Sequence, residues 1–161
     1  MSARQEYVGL LIAAARRRLK QTVQSRVGAW RLTPQQFWCI LAVAEQPGAS
    51  LGELARRQLI DAPTASRVVT GLSRRRLLRL ELAPDDRRRT RIDLTPAGAE
   101  LAASLRPIAA SVRAAAIAEL SPAEEIALRK SLTKVIESLD KFDQQAARPA
   151  SRAAAAGRRS G

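Results

Sequence analysis

The 161-residue chain contains no histidine and a single cysteine, Cys39. Without histidine, neither a Ser-His-Asp nor a Cys-His catalytic site can be assembled. Zinc-finger spacing is absent, and a transition-metal site has few ligands to draw on. One cysteine cannot close an internal disulfide, which fits a reducing cytosol and a cytoplasmic protein. Aromatic residues make up only 3% of the chain. A core must therefore be built from Leu, Ile, Val and Ala, which favours helix packing over a β-sandwich. No apolar run approaches the ~20 residues that span a bilayer, so no membrane partner is expected. Arg16-Arg17-Arg18 breaks the apolar N-terminal stretch that a signal peptide would need. There is no Gly-rich phosphate loop and no paired-carboxylate motif. These absences point to a binding protein rather than an enzyme, with no cofactor and no metal.

What is abundant is positive charge. Twenty-eight Lys+Arg against fifteen Asp+Glu give a net charge of +13. Such an excess suits a polyanion, nucleic acid before an acidic membrane surface. Only Lys20, Lys130, Lys134 and Lys141 are lysines. Arginine presents the better fork to phosphate and to guanine edges. Between Arg56 and Arg91 eleven arginines face four acids, a surplus of +7 that exceeds half the net charge. This is an electrostatic footprint rather than scattered solubility.

The apolar periodicity is helical over most of the chain. Val8, Ile12, Ala15, Leu19, Val23 and Val27 recur at steps of three and four and predict a helix over about residues 4–28. Thr33-Pro34-Gln35-Gln36 reads as a capping box with proline in the first turn. The helix it opens should stop at Pro47-Gly48. Ser50 with Glu53 caps a third helix with Leu51, Leu54 and Ala55 facing inward. Asp61 caps a fourth, with Pro63 in its first turn and Val68, Val69 and Leu72 as its buried side. Thr95-Pro96 opens a long helix that Pro107 should kink. Ser121 with Glu124 opens a last helix whose Leu128, Leu132, Val135, Leu139 and Phe142 form a coiled-coil-like seam. From about Gln145 onward the composition predicts a disordered cationic tail.

Between the fourth and fifth helices, Leu78–Leu82 and Arg91–Leu94 alternate on either side of a Pro/Asp turn carrying Arg87, Arg88 and Arg89. That pattern is a β-hairpin with a cationic tip. A helix followed by such a hairpin makes a winged helix-turn-helix, with one element for a major groove and the other for a minor groove. The predicted fold is therefore mainly α with a small β-hairpin wing. Residues 1–30 form an N-terminal dimerisation helix, 31–95 the DNA-binding module, 96–144 C-terminal dimerisation helices and 145–161 the tail. The stripes of the terminal helices are too long for the module to cover, and either an intrachain bundle or a homodimer would bury them. Dimerisation is favoured, because two-fold DNA readers need two modules at fixed spacing.

In the fourth helix, Thr64, Ala65, Ser66 and Arg67 form its exposed first half. Thr64, Ser66 and Arg67 are candidate DNA contacts, with Arg67 suited to fork onto guanine O6 and N7. The two hydroxyls can equally extend the helix cap. Arg74 and Arg75 at the far end are candidates for phosphate, or for complementing the helix dipole. Trp30 and Trp38 flank a candidate effector cleft, where core packing is the competing role. Cys39, in the apolar run Phe37-Trp38-Cys39-Ile40-Leu41, reads as core rather than as an oxidant sensor. An effector-independent nucleic-acid-binding or architectural protein would share all these signals except a sharp operator.

Pro84-Asp85-Asp86-Arg87-Arg88, followed by Ile92-Asp93-Leu94-Thr95-Pro96-Ala97-Gly98, resembles the wing signature of the MarR family of bacterial transcriptional regulators. Leu54-Ala55 and Thr64-Ala65-Ser66-Arg67-Val68-Val69 fall where that family places its helix-turn-helix. Arg75-Arg76-Leu77-Leu78 takes the position of its basic–Gly–Leu–Val ending, with Arg76 where glycine is usual. The resemblance spans about residues 5–143. It implies a ligand-responsive repressor, a homodimer with interleaved terminal helices on a pseudo-palindromic double-stranded DNA operator. It implies that Asp86 braces Arg88 for the minor groove, with Arg87 or Arg89 on phosphate. It also implies a cleft for a small phenolic or lipophilic effector between the dimer helices and the winged module.

Overall fold

A computed structural model describes residues 6–82 and 90–146. Six helices and one hairpin follow in the order α1 (Glu6–Val27), α2 (Pro34–Glu45), α3 (Leu51–Gln58), α4 (Ala62–Arg74), β1 (Leu78–Leu82), β2 (Thr90–Leu94), α5 (Pro96–Ile117) and α6 (Pro122–Ala146). A short 3-10 turn, Gly28–Trp30, follows α1. Among the described residues no single helix is long and apolar enough to cross a membrane. The hairpin tip, with Asp86, Arg87, Arg88 and Arg89, and the tail from residue 147 lie outside the described residues.

The helix starts are dictated locally. Thr33 and Gln36 exchange hydrogen bonds at the head of α2, 3.2 and 3.0 Å, and Pro34 occupies the first helical position. Ser50 and Glu53 do the same for α3, and Ser121 and Glu124 for α6. Each box satisfies two backbone N–H groups that a helix start leaves without partners. The ends of α3 and α4 are left-handed turns. Leu59 (φ 52°) and Arg76 (φ 56°) adopt the conformation that glycine usually supplies there. Arg76 thus adopts a left-handed conformation at the position where the family resemblance leads one to expect glycine. Its N–H reaches Ser73 O at 2.8 Å, while Leu77 N–H reaches Leu72 O at 3.0 Å. For a non-glycine residue this conformation costs ~1–2 kcal/mol.

β1 and β2 pair antiparallel, with Leu78 opposite Leu94 and Leu80 opposite Ile92. Ile92 also bridges Ala49 ahead of α3, with Ile92 N–H on Ala49 O at 3.0 Å and Gly48 N–H on Ile92 O at 3.1 Å. The wing is thereby tied to the loop that precedes the helix-turn-helix.

The chain divides into two compact units, Met1–Ala116 and Ile117–Gly161. In the first unit one core runs from Val23 and Val27 through Phe37, Ile40 and Leu72 to Leu105. The C-terminal half of α1 and the length of α5 therefore share a core with α2, α3, α4 and the hairpin, across the bounds near residues 30 and 95 that the sequence suggested. The core is aliphatic around one fully buried Phe37, as the shortage of aromatics requires. The N-terminal half of the α1 stripe is different: Val8 and Ala15 are exposed and Ile12 is half-buried. In the second unit, α6 runs to Ala146, past Gln145 where the tail was expected to begin. Its Leu128, Leu132, Leu139 and Phe142 remain exposed in the single chain, from 38% for Leu132 to 68% for Phe142.

One contact fixes where α5 leaves the wing. Thr95 caps α5 by accepting from Gly98 N–H at 3.1 Å, and its hydroxyl donates to Arg76 O at 2.7 Å. Its N–H donates to Leu77 O at 3.1 Å. Gly98 lies directly on that carbonyl, and a Cβ there would overlap the Leu77 oxygen. Gly98→Ala should force the helix off the hairpin base. The expected loss is about 2–3 kcal/mol, in the range of overpacking, and denaturant unfolding checks it.

Candidate nucleic-acid interface

The helix-turn-helix consists of α3, the turn through Gln58, Leu59 and Ile60, and α4. Ala65, Val69 and Leu72 are the buried residues of α4. Their spacing of four and three places Pro63, Ser66, Arg67, Thr70 and Arg74 on the opposite, exposed side. This corrects the expectation for Ala65, which is 2% exposed and packs inward. A methyl group at that position lets α4 lie close on the module. Thr70 shares the exposed stripe with Ser66 and Arg67 and was missed. Its spacing of four from Ser66 and three from Arg67 was the available signal.

The first turn of α4 is a small polar relay. Asp61 accepts from Thr64 N–H at 2.6 Å, and Arg67 Nη2 donates to the Thr64 hydroxyl at 3.2 Å. Hydrogen bonds from the Thr64 backbone and side chain, aided by the Arg67 charge, hold the Asp61 carboxyl below the ordinary aspartate range. Thr64 is thus half-buried and engaged in the cap, whereas Ser66 is open to solvent. Arg67 is positioned by the helix that carries it.

The arginines at the end of α4 divide by role. Arg74 is exposed on the α4 stripe. Arg75 reaches back to the end of the 3-10 turn, donating to Trp30 O at 2.8 Å and Arg31 O at 3.1 Å. Two of its guanidinium nitrogens therefore brace α4 against the start of the module. On the hairpin, Arg91 lies over Gly48 (φ 74°), where a Cβ would come within 2.6 Å of its Nη2.

A cleft of about 1150 Å³ opens behind the helix-turn-helix. Arg16, Arg17 and Lys20 of α1 and Arg106 and Arg113 of α5 line it, together with Arg57 of α3. Trp38 and Leu41 of α2 supply apolar surface, and the turn Gln58–Ile60 forms part of the wall. Trp38 packs edge-on against Phe37 with ring centroids 4.7 Å apart. Of the two tryptophans read as flanking a cleft, Trp38 lines it; Trp30 is packed against the core. Arg57 pairs with Glu45 and donates to Gln46 at 3.4 Å. The other five cations have no carboxylate within ion-pair distance among the described residues. The cleft therefore combines apolar surface with a surplus of positive charge, a setting that favours a small anion.

Cys39 is 1% exposed, and burial raises its thiol to about 11, against a smaller opposing effect of a hydrogen bond with Gln58. At neutral pH it stays a thiol and packs as core. Among the described residues no group of His, Cys, Asp and Glu could hold a metal ion.

The sequence model of the MarR family matches residues 32–89. Over 133 residues the chain is 30% identical to the HTH-type transcriptional repressor NicR of Pseudomonas putida, covering 83% of this chain and 84% of the relative. It is 31% identical to Bordetella bronchiseptica BpsR, whose DNA binding is regulated by 6-hydroxynicotinic acid. That likeness covers 80% of this chain and 91% of BpsR, with a TM-score of 0.71. A DNA complex of S. aureus MepR shares the fold, with a TM-score of 0.73 at 22% identity, over 81% of this chain and 97% of MepR.

The Asp61 cap yields a pH prediction. A carboxyl whose folded pKa lies below its unfolded value contributes stability above the unfolded pKa and loses it as pH falls through the folded one. Asp61→Ala should lower the melting temperature at pH 7. The gap to the unsubstituted protein should shrink as pH drops below the ordinary aspartate range. A gap that is constant from neutral to acid pH would show that the charge of Asp61 contributes nothing.

Proposed function

Since this chain belongs to the MarR family of transcriptional regulators, we propose that it is a cytoplasmic, effector-responsive repressor that binds an operator as a homodimer. The observation that carries the reading is the exposed stripe of α4. Small and hydroxyl side chains at Ser66 and Thr70 leave room for close approach to base edges, and Arg67 sits between them, steadied by Thr64. Direct readout needs this combination of a donor fork and a helix slim enough for the major groove. Arg74 is assigned to backbone phosphate. We keep Arg75 as a brace of the module whose remaining donors can add to phosphate attraction. The wing assignments stand beside it: Arg88 in the minor groove, held by Asp86, with Arg87 or Arg89 on phosphate.

The dimer reading draws on the apolar side chains of α6 and of the first half of α1, which are exposed in the single chain. In water such seams are costly, and a second copy is the partner that a two-fold operator requires. The effector reading draws on the cationic cleft and on BpsR, a relative controlled by an aromatic acid. We assign the cleft to a small aromatic anion, with Trp38 against its ring. The family resemblance implied a phenolic or lipophilic effector, and the cationic lining favours an anionic one instead. A regulator of this kind acts by binding, so no catalytic role is assigned to any residue.

Operator fragments selected from the host genome provide the test. Arg67→Ala should relax base preference and weaken operator binding by about 1–3 kcal/mol, the range for a lost bidentate base contact. Arg129, on α6, pairs with Glu125 and serves as the control. Arg129→Ala should leave affinity unchanged. Equal losses from both substitutions would remove α4 as the reader.

At the wing, Asp86→Ala should weaken binding although it deletes a negative charge, because an unheld Arg88 must be ordered at binding and carries up to ~2 kcal/mol of rotamer entropy. Tighter operator binding by Asp86→Ala at both low and high salt would reduce the wing to a diffuse cationic patch.

A further inference from the structure

The cleft and the recognition helix share a wall. Gln58, the last residue of α3, and Leu59 and Ile60 of the turn that joins α3 to α4 line the cleft. The next residue, Asp61, caps α4. Anything that displaces this turn displaces the first turn of the helix assigned to the major groove.

Six cations line the cleft, but only Arg57 also belongs to the helix-turn-helix. The others stand on α1 and α5. Arg57 is also the one among them with a carboxylate partner among the described residues, Glu45 at the end of α2. Its second nitrogen reaches Gln46, the residue that ends α2. The guanidinium therefore straps the last turn of α3 to the end of α2. The strap is weak by construction: the two side chains are 41% and 58% exposed. Exposed pairs of this kind contribute little and exchange partners easily. The turn beyond it is held in an arrangement that leucine disfavours. Leu59 sits at φ 52° and is 74% exposed, with its N–H on Arg56 O at 3.2 Å and Ile60 N–H on Ala55 O at 3.1 Å.

We propose that Arg57 is the positioning residue that reports occupancy of the cleft to α4: an anionic occupant takes its guanidinium from Glu45, and the turn Gln58–Ile60 moves with it. The inference rests on the effector reading of the cleft and adds the residue that couples it to DNA. A ligand shifts a conformational equilibrium only by its differential affinity for the two states. Here the difference is the ion pair between occupant and Arg57, present in one arrangement and replaced by Glu45 in the other. The five cations of α1 and α5 attract the anion in both arrangements. They supply affinity without directing the response.

The experiment uses the full chain with benzoate, 6-hydroxynicotinate and uncharged nicotinamide. Binding is followed by calorimetry and by tryptophan fluorescence, and operator release is measured in parallel. The unsubstituted protein should bind an acid and release DNA, while nicotinamide does neither. Arg57→Gln should bind the acid about tenfold more weakly, as expected for a lost charge-assisted hydrogen bond. At concentrations that restore occupancy it should still hold DNA. Arg57→Lys should recover part of both responses. Glu45→Gln should bind the acid about two- to fivefold more tightly, the scale of an exposed pair that no longer competes.

Acid binding and DNA release that are unchanged in Arg57→Gln would overturn the coupling role while leaving the effector reading intact. If Arg57→Gln fails to fold, unchanged acid affinity in folded Glu45→Gln overturns it as well. Failure of both acids to bind the unsubstituted protein would overturn the effector reading itself, and this inference with it.

Discussion

The carbonyl of Leu77 is the point on which the module turns. It receives the Thr95 N–H at the mouth of the hairpin, and Gly98 is pressed against it from the first turn of α5. One residue before it, Arg76 closes α4 in a left-handed turn, and the Thr95 hydroxyl holds the Arg76 carbonyl. Three elements are thereby fixed by a handful of backbone groups: the end of α4, the base of the wing and the start of α5. The cleft has α5 as one wall and the α3–α4 turn as another. A backbone contact that fixes where α5 starts therefore ties one wall of the cleft to the end of α4 and the base of the hairpin.

Strain and weak pairing are concentrated in this same region. Arg31, Leu59 and Arg76 are the non-glycine residues at positive φ among the described residues, and all three lie at turns flanking α2, α3 or α4. Turns that are not at a deep minimum suit the change of posture proposed for α4. The Arg57–Glu45 strap is exposed, in contrast to the buried aliphatic packing of Phe37, Ile40 and Leu72 beneath it. The core keeps the module intact while its surface connections can be exchanged.

How much of this was legible follows from range along the chain. The caps at Thr33, Ser50, Asp61 and Ser121 were readable because donor and acceptor lie three residues apart. The hairpin was readable from alternation on both sides of a turn, and its register matches the two runs of the sequence. The role of Arg75 was not readable, since its carbonyl partners lie 44 and 45 residues upstream. The cleft was legible only as far as Trp38. Its cationic rim comes from α1 and α5, which periodicity shows as separate amphipathic helices with no indication that their basic residues converge. Ala65 was misplaced because a small residue gives no hydropathy signal strong enough to assign its face.

In the proposed assembly, two copies of this module read a defined DNA sequence through α4. The most direct test is protection of selected genomic fragments by the full chain at physiological salt. Two protected half-sites related by a two-fold axis are expected, with centres one helical turn, ~10 base pairs, apart. Uniform protection without preferred sites, weakening with salt equally on every fragment, would contradict it.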